Sequence, residues 1–178
     1  MPMEPETGCL ERHVVLIAPE IHWNTGNAGR TCVAAGAVLH LVHPLGFSLD
    51  SRQLKRAGLD YWPKVALRVW DDFAQFETAM APKGEEIALI TKFGRRSFRK
   101  LPASRRLFLV FGSESRGLPA PISSRFSNAT YYIPTKGAIR SLNLSTAVGI
   151  ALYESLRGRD VAHAWCLGSD RPGPPRRR

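Results

Sequence analysis

The sequence predicts an α/β fold in which a parallel sheet is flanked by helices. Six short apolar runs alternate with helix-like stretches, and most of these runs are continuous rather than alternating with polar residues. Continuous β-branched runs are typical of strands buried on both faces, and strand–helix alternation at this spacing is typical of parallel sheets with right-handed crossovers. The chain has 178 residues, 44% of them hydrophobic, which suffices for one packed domain.

The predicted elements follow one another without a linker. Strands are expected at 13–18, 38–42, 65–69, 87–91, 107–111 and 130–133, and helices near 26–35, 51–57, 71–80, 119–125 and 143–157. Asn24 or Thr25 is a candidate N-cap of the first helix, and Asn143 or Ser145 of the last. The last helix carries an apolar stripe expected in the core or at a subunit contact. Its members are Leu144, Val148, Ala151, Leu152 and Leu156.

One domain is expected at 13–157, between an N-terminal extension at 1–12 and a flexible basic tail at 158–178. The extension is acidic, whereas the tail has five arginines, a proline-rich stretch and two acids. Such composition is typical of solvated terminal segments.

Charge and cysteine content restrict the functional class. The net charge of +10 favours a polyanion partner, with RNA first, although a highly charged surface also serves solubility alone. No apolar run is long enough to span a membrane, and residues 1–12 do not resemble a secretory signal. Cys9, Cys32 and Cys166 are far apart, which predicts neither disulfides nor a metal site and agrees with a cytoplasmic location.

Ligands of such sheets bind at the carboxyl ends of the strands, so the loops at 19–29, 92–100, 112–118 and 134–142 are the expected sites of chemistry. In the first loop, glycines precede a helix whose first turn carries Arg30. Free N–H groups and a guanidinium suit a phosphate, but a tight turn with a surface arginine explains the same residues. Neither a dinucleotide-binding fingerprint nor a P-loop is present.

Two later loops also carry polar residues. In FGSESRGLP, Glu114 and Arg116 lie between Gly112 and Gly117, either as functional groups or as an ion pair that pins the loop. In the loop that begins IPTKG, Ser141 and Asn143 precede the last helix, where spacing alone favours helix capping.

The segment 92–106 is strongly basic. It holds seven lysines and arginines and no acid, with Phe93 and Phe98 between them. This pattern is typical of RNA contact with base stacking, although a solvated basic loop is the alternative. Arg52, Lys55 and Arg56 extend the expected basic patch.

Four ordered motifs resemble those of the SPOUT superfamily of RNA methyltransferases, most closely the TrmL (YibK-type) tRNA 2′-O-methyltransferases. The motifs are NTGNAGRTC, LHLVHPLGF with KRAGLDYW, FGSESRGLP, and IPTKGAIRSLNLSTAVGIALYE. They extend from about His13 to Glu154, and the RAGLDYW block narrows the resemblance to the TrmL group. The resemblance implies a C-terminal trefoil knot, S-adenosyl-L-methionine (AdoMet) as methyl donor without a metal, and a homodimer.

The resemblance also implies site residues. AdoMet contacts are expected at Leu89, Thr91, Gly112, Ile133, Ser141 and Leu142. Catalytic roles are expected for Arg30, Glu114 and Asn143, with Arg30 orienting the ribose and stabilising the nascent alkoxide rather than acting as a base, because guanidinium stays protonated. Dimer contacts are expected from the last helix and near Tyr153.

The implied reaction is 2′-O-methylation of the wobble nucleotide, C34 or modified U34, in the anticodon stem-loop of leucine tRNAs. The alternatives are the same reaction at another tRNA or rRNA ribose, or an RNA-binding factor without turnover. DNA is not an expected partner.

Overall fold

A computed structural model of the chain describes residues 10–49, 61–137 and 139–157. The predicted helix at 51–57, the basic residues Arg52, Lys55 and Arg56, the tail at 158–178 and most of the N-terminal extension lie outside the described residues.

The described residues contain seven strands: β1 (Glu11–Ile17), β2 (Val38–Val42), β3 (Leu67–Trp70), β4 (Ile87–Ile90), β5 (Arg96–Ser97), β6 (Arg106–Phe111) and β7 (Thr130–Tyr132). They form one sheet in the order β3–β2–β1–β6–β4–β7–β5. Every strand pair is parallel. The predicted fold class, a parallel sheet flanked by helices, is therefore confirmed.

Four α-helices flank the sheet in the described part of the chain: α1 (His22–Ala35), α2 (Phe73–Met80), α3 (Ala120–Arg125) and α4 (Leu144–Glu154). Short 3₁₀ segments lie at Trp62–Lys64, Gly84–Glu86, Phe98–Lys100 and Ser127–Ala129. The predicted cap of the last helix is confirmed, because the Asn143 side chain accepts hydrogen bonds from the N–H groups of Ser145 and Thr146. The caps predicted for the first helix are wrong, since α1 begins at His22 and both Asn24 and Thr25 lie inside it.

Strand β5 lies within a segment that the sequence predicted as a loop. Its residues are polar, so no apolar run marks it, and it forms by backbone pairing of Arg96 with Tyr131 and of Ser97 with Tyr132. Gly94 allows this pairing because a Cβ there would overlap the backbone of Tyr131 and Tyr132.

Apolar side chains cover both faces of the sheet, as the continuous runs predicted. One cluster packs α1 and α4 on one face, with Leu16, Leu109 and Leu152 fully buried, and the other packs around Phe76 and Phe108. The apolar stripe of α4 is part of the protomer's own core. On that helix Tyr153, 51% exposed, remains available to a partner.

Two histidines lie inside the core and form a directed chain of hydrogen bonds. Trp70 donates from Nε1 to His40 Nδ1 at 3.0 Å, so neutral His40 carries its proton on Nε2 and donates to His13 Nδ1 at 2.9 Å. Burial is the main cause that lowers the pKa of His13 to about 4 and that of His40 to about 3. Both rings are therefore neutral at physiological pH.

Arg12 ties the C-terminal end of α4 to the amino end of the sheet. Its guanidinium is buried and donates to the carbonyl oxygens of Ser104, Arg105 and Ser155 at 2.9 to 3.2 Å, and to Ser155 Oγ at 3.1 Å. A cation at this position also complements the partial negative charge of the helix C-terminus.

Among the described residues, no helix is both long and apolar enough to cross a membrane. In the same ranges, no group of three or more His, Cys, Asp or Glu side chains is placed to hold a metal ion.

Candidate active site

A cavity of about 960 Å³ lies at the carboxyl ends of β4, β6 and β7. It is bounded by the loop after β4, the loop 112–118 after β6, and the segment from β7 to the start of α4. Five of the six residues expected from the resemblance to contact AdoMet line it: Thr91, Gly112, Ile133, Ser141 and Leu142. The expected catalytic residues Glu114 and Asn143 line it as well.

Two predicted site residues lie outside the cavity wall. Leu89 is fully buried within β4, in the core cluster around Phe108, and its neighbour Ile90 faces the cavity instead. Arg30 is on the exposed side of α1, six residues after Asn24, which corresponds to about 9 Å along the helix axis.

The loop 112–118 has a fixed shape. Ser113 and Gly117 exchange two backbone hydrogen bonds, at 3.1 and 2.9 Å, and Gly117 has a positive φ of 70° that favours glycine. Gly112 lies directly against this bridge, where a Cβ would overlap the Gly117 backbone. The two glycines therefore close the loop tightly and project Glu114 toward α1.

Glu114 holds the N-terminus of α1 from another part of the chain. One carboxylate oxygen accepts the N–H of Glu20 at 2.8 Å, and the other accepts the N–H of Ile21 at 3.3 Å and the Nδ2 of Asn24 at 2.8 Å. An anion at this point also complements the positive end of the helix dipole. Glu114 thus replaces the side-chain cap that α1 lacks, and it makes no ion pair with Arg116.

A directed chain of amides connects Glu114 to α4. Because the carboxylate only accepts, Asn24 turns its Nδ2 toward Glu114 and its Oδ1 toward Asn143, whose Nδ2 donates at 2.8 Å. The Oδ1 of Asn143 in turn accepts from the Ser145 N–H and Oγ, at 2.9 and 2.7 Å. The N-termini of α1 and α4 and the loop 112–118 are therefore joined in one network.

A second set of hydrogen bonds joins the loop 112–118 to the segment before α1, and here the accepting carboxylate belongs to that segment. The Glu20 carboxylate accepts the Ser115 N–H at 3.1 Å and the Ser115 hydroxyl at 2.6 Å. These bonds, the hydroxyl's first, lower the pKa of Glu20 from its usual value. Arg116 approaches Glu20 at 4.0 Å, with its side chain 79% exposed.

Arg30 is supported by the only part of the RAGLDYW block that the structure describes. Its guanidinium lies 5.2 Å from the centre of the Tyr61 ring, and the Tyr61 hydroxyl donates to the Gly26 carbonyl at 2.8 Å. The Trp62 ring packs against Gly29, where a Cβ would come within 2.8 Å of it. Tyr61 and Trp62 therefore support the part of α1 that presents Arg30.

Three residues of this arrangement were missed in the sequence. Asn24 was predicted as a helix cap but bridges Glu114 and Asn143, Glu20 was not singled out, and Tyr61 was noted only as part of a motif. The spacing of these residues carries no signal, because their partners are between 30 and about 120 positions away.

The cavity is poor in negative charge. Glu114 is the one acid among its described lining residues, which also include Lys92, Arg95, Arg116 and Arg140. Its lone pairs already receive three N–H donors. The described wall therefore offers no free carboxylate to a ligand.

Comparison with known proteins identifies the family. The sequence profile of the SpoU rRNA Methylase family matches residues 11–153. A Burkholderia ambifaria protein named tRNA (cytidine(34)-2′-O)-methyltransferase is 42% identical over 146 residues, covering 82% of this chain and 94% of its own length.

Two solved structures share the fold. One, described as giving structural insights into the 2-OH methylation of C/U34 on tRNA, has a TM-score of 0.76 and 48% identity, and the match covers 84% of this chain and 91% of that one. An AdoMet-bound rRNA methyltransferase from Sinorhizobium meliloti has a TM-score of 0.73 and 28% identity, and the match covers 83% of this chain and 56% of that one. With its parallel sheet and the cavity at its strand ends, this chain belongs to the SpoU rRNA methylase family.

Proposed function

We propose that this protein is an AdoMet-dependent tRNA 2′-O-methyltransferase that modifies the wobble nucleotide, C34 or modified U34, of leucine tRNAs in the cytoplasm. The observation that carries the proposal is the cavity at the strand ends, where seven residues expected for this chemistry meet. The 42% identity to a protein named for methylation of cytidine 34 supports the reaction and the nucleotide.

The chemistry of the cavity fits AdoMet. Its wall combines apolar side chains, among them Ile133, Leu142 and Ala147, with hydroxyls and strand-end backbone, which suits a purine and a ribose. A carboxylate against the sulfonium would stabilise the ground state more than the transition state, and the one acid in the wall, Glu114, is occupied by N–H donors. When bound, AdoMet supplies an electrophilic methyl group.

The roles of the polar residues follow from their contacts. Glu114 and Asn24 hold the Asn143 amide in one orientation, so its exposed edge is available to position the ribose. Arg30 stays protonated, so it binds a phosphate of the RNA and stabilises the developing alkoxide rather than removing the proton. Most of the rate enhancement is then expected from alignment of the ribose 2′-hydroxyl with the methyl group.

We further propose that the C-terminal part of the domain carries the trefoil knot of the SPOUT superfamily and that the protein acts as a homodimer. Tyr153, exposed on α4, is the proposed dimer contact. The substrate segment is the anticodon stem-loop.

The proposal is tested with methyl-labelled AdoMet and bulk tRNA from a strain that lacks the wobble methylation. Mass spectrometry of the product should place the label on the ribose of nucleotide 34 in leucine tRNAs. Label at another tRNA ribose, or only on rRNA in a parallel reaction, would refute the target but keep the reaction. No AdoMet binding by calorimetry would refute the enzyme and favour an RNA-binding factor.

Arg30→Ala separates binding from turnover. It should abolish methyl transfer while AdoMet binding persists, because Arg30 lies outside the cavity wall. The matched control is Arg68→Ala, an exposed arginine on β3, the edge strand farthest from β5 in the sheet, which should retain activity. Full activity of Arg30→Ala would disprove the assigned role.

A further inference from the structure

A cationic surface with one exposed aromatic ring continues from the cavity to the β5 edge of the sheet. It is formed by the loop after β4, by β5 and by the 3₁₀ segment Phe98–Lys100. We call it the β5 edge surface and define it by Lys92, Phe93, Arg96, Arg99 and Lys100. Lys92 and Phe93 also line the cavity, so the two features share a wall.

Six of the seven basic residues of the segment 92–106 fall into two groups. Arg106 is bound by Glu86 at 2.7 Å, and Arg95 donates to Asn128 Oδ1 at 3.0 Å, so both serve the protein's own structure. The four cations of the β5 edge surface are exposed, and no carboxylate among the described residues lies within ion-pair distance of them. Their charge is available to an anionic partner.

The two aromatic residues of the segment also differ. Phe98 is partly buried at the start of its 3₁₀ segment, whereas Phe93 is 79% exposed. The Lys92 ammonium lies 4.6 Å from the centre of the Phe93 ring. An exposed ring of this size is unfavourable in water, and beside a cation it is a typical platform for a nucleic-acid base.

Phe93 is held by a rigid turn. The Gly94 N–H donates to the Thr91 carbonyl at 3.1 Å, and Gly94 packs so closely on β7 that a Cβ would overlap the Tyr131 backbone. A preorganised ring costs little conformational entropy when a base stacks on it. The turn therefore presents Phe93 at the rim of the cavity.

We infer that the β5 edge surface binds the single-stranded RNA next to the target nucleotide. One unpaired base stacks on Phe93, and the phosphates follow Lys92, Arg96, Arg99 and Lys100 along the edge of the sheet. The inference rests on the proposed function, because it assigns the path by which RNA leaves the same cavity. A single-stranded nucleic acid offers both regularly spaced phosphates and unstacked bases, and the proposed function makes RNA the occupant.

The experiment measures binding of a fluorescently labelled RNA hairpin with an unpaired loop, and of a fully paired RNA duplex of equal length. Phe93→Ala should weaken binding of the hairpin about 5- to 100-fold, as expected for one lost stacked base, and leave duplex binding unchanged. Phe93→Tyr should restore hairpin binding because it keeps the ring. Equal affinity of Phe93→Ala and the wild type for the hairpin would overturn the inference.

The charge component has its own measurement. In the double variant Arg96→Gln/Arg99→Gln, the slope of log affinity against log salt for the hairpin should fall by about 1.4, since each lost single-strand phosphate contact removes about 0.7. The matched control is Lys83→Gln, an exposed lysine at the amino end of β4 and therefore at the opposite end of the sheet. Equal slopes for the double variant and the control would contradict the phosphate path.

Two further readouts separate other uses of the ring. If Phe93→Ala weakens AdoMet binding as much as RNA binding, Phe93 belongs to the cofactor site and the inference fails. If the variant changes the oligomeric state in light scattering, the surface is a contact between copies of this chain and the inference also fails. If the wild type methylates no RNA but the Phe93→Ala variant still loses hairpin binding, the inference is retained and the proposed function is refuted.

Discussion

Acidification from about pH 7.5 to about pH 5 is expected to lower the free energy of unfolding by about 4 kcal/mol, because two core histidines must stay neutral in the fold. His13 and His40 are 5% and 0% exposed, and each protonated ring would lack the water that solvates it in the unfolded chain. The chain of donors from Trp70 through His40 to His13 leaves no acceptor for an added proton on His40.

The magnitude follows from the pKa values. Both are lowered from 6.5, to about 4 for His13 and about 3 for His40, with burial as the largest cause. The unfolded chain therefore binds the protons first, so the contribution is complete above pH 6.5 and is lost as the pH falls through that value. At pH 5, about 1.5 pH units below the unfolded pKa, each histidine removes about 2 kcal/mol.

The assay is urea denaturation at the two pH values. The His13→Asn variant should retain only about half of the pH-dependent loss, since one titrating ring is gone while the amide oxygen still accepts from His40. His43→Asn, at an exposed position, is the matched control and should show the full loss. A wild-type loss below about 1 kcal/mol, or equal losses in the two variants, would refute the reasoning.

Three further predictions concern the site and its support. Gly112→Ala should weaken AdoMet binding at least tenfold in calorimetry, because its Cβ would overlap Gly117, whereas Gly84→Ala, with open space at its Cβ, should bind normally. Asn143→Asp should keep the N-cap of α4, and with it a melting temperature near that of the wild type, but lose methyl transfer since it cannot donate to Asn24; an active Asn143→Asp enzyme would contradict the amide network. Arg12→Met should lower the free energy of unfolding by about 2 to 3 kcal/mol in urea, because it removes the guanidinium donor of the partly buried Ser104 and Ser155 carbonyl oxygens; an unchanged midpoint would show that the guanidinium contributes nothing.

The core strands could be predicted from the sequence because burial on both faces leaves a continuous apolar run. The same reasoning fails for β5, whose Arg96 and Ser97 carry no apolar signal and pair through the backbone alone. It also misplaces the start of α1, since the anion that holds this helix N-terminus is Glu114, more than 90 positions away.

Two of the predicted loops, 112–118 and 134–142, line the cavity as loops, whereas positions 22–29 of the predicted loop 19–29 belong to α1. Through the resemblance, the site was also predictable as a set of residues. What the sequence does not contain is the connection between them. Asn24 has the composition of a helix cap, and only the folded chain places it between Glu114 and Asn143. The support of Arg30 by Tyr61 is of the same kind, because a ring and a guanidinium 31 positions apart leave no periodic pattern.

The order of strands in the sheet has a consequence for synthesis on the ribosome. Strand β1 pairs early with β2, but its other neighbour, β6, emerges about 95 residues later, which at cellular elongation rates of about 5 to 20 residues per second is about 5 to 20 seconds. During that interval the apolar edge of β1 has no partner, and an open edge of this kind readily pairs with another nascent chain. The period in which this edge is exposed therefore precedes the synthesis of most of the residues that line the candidate active site.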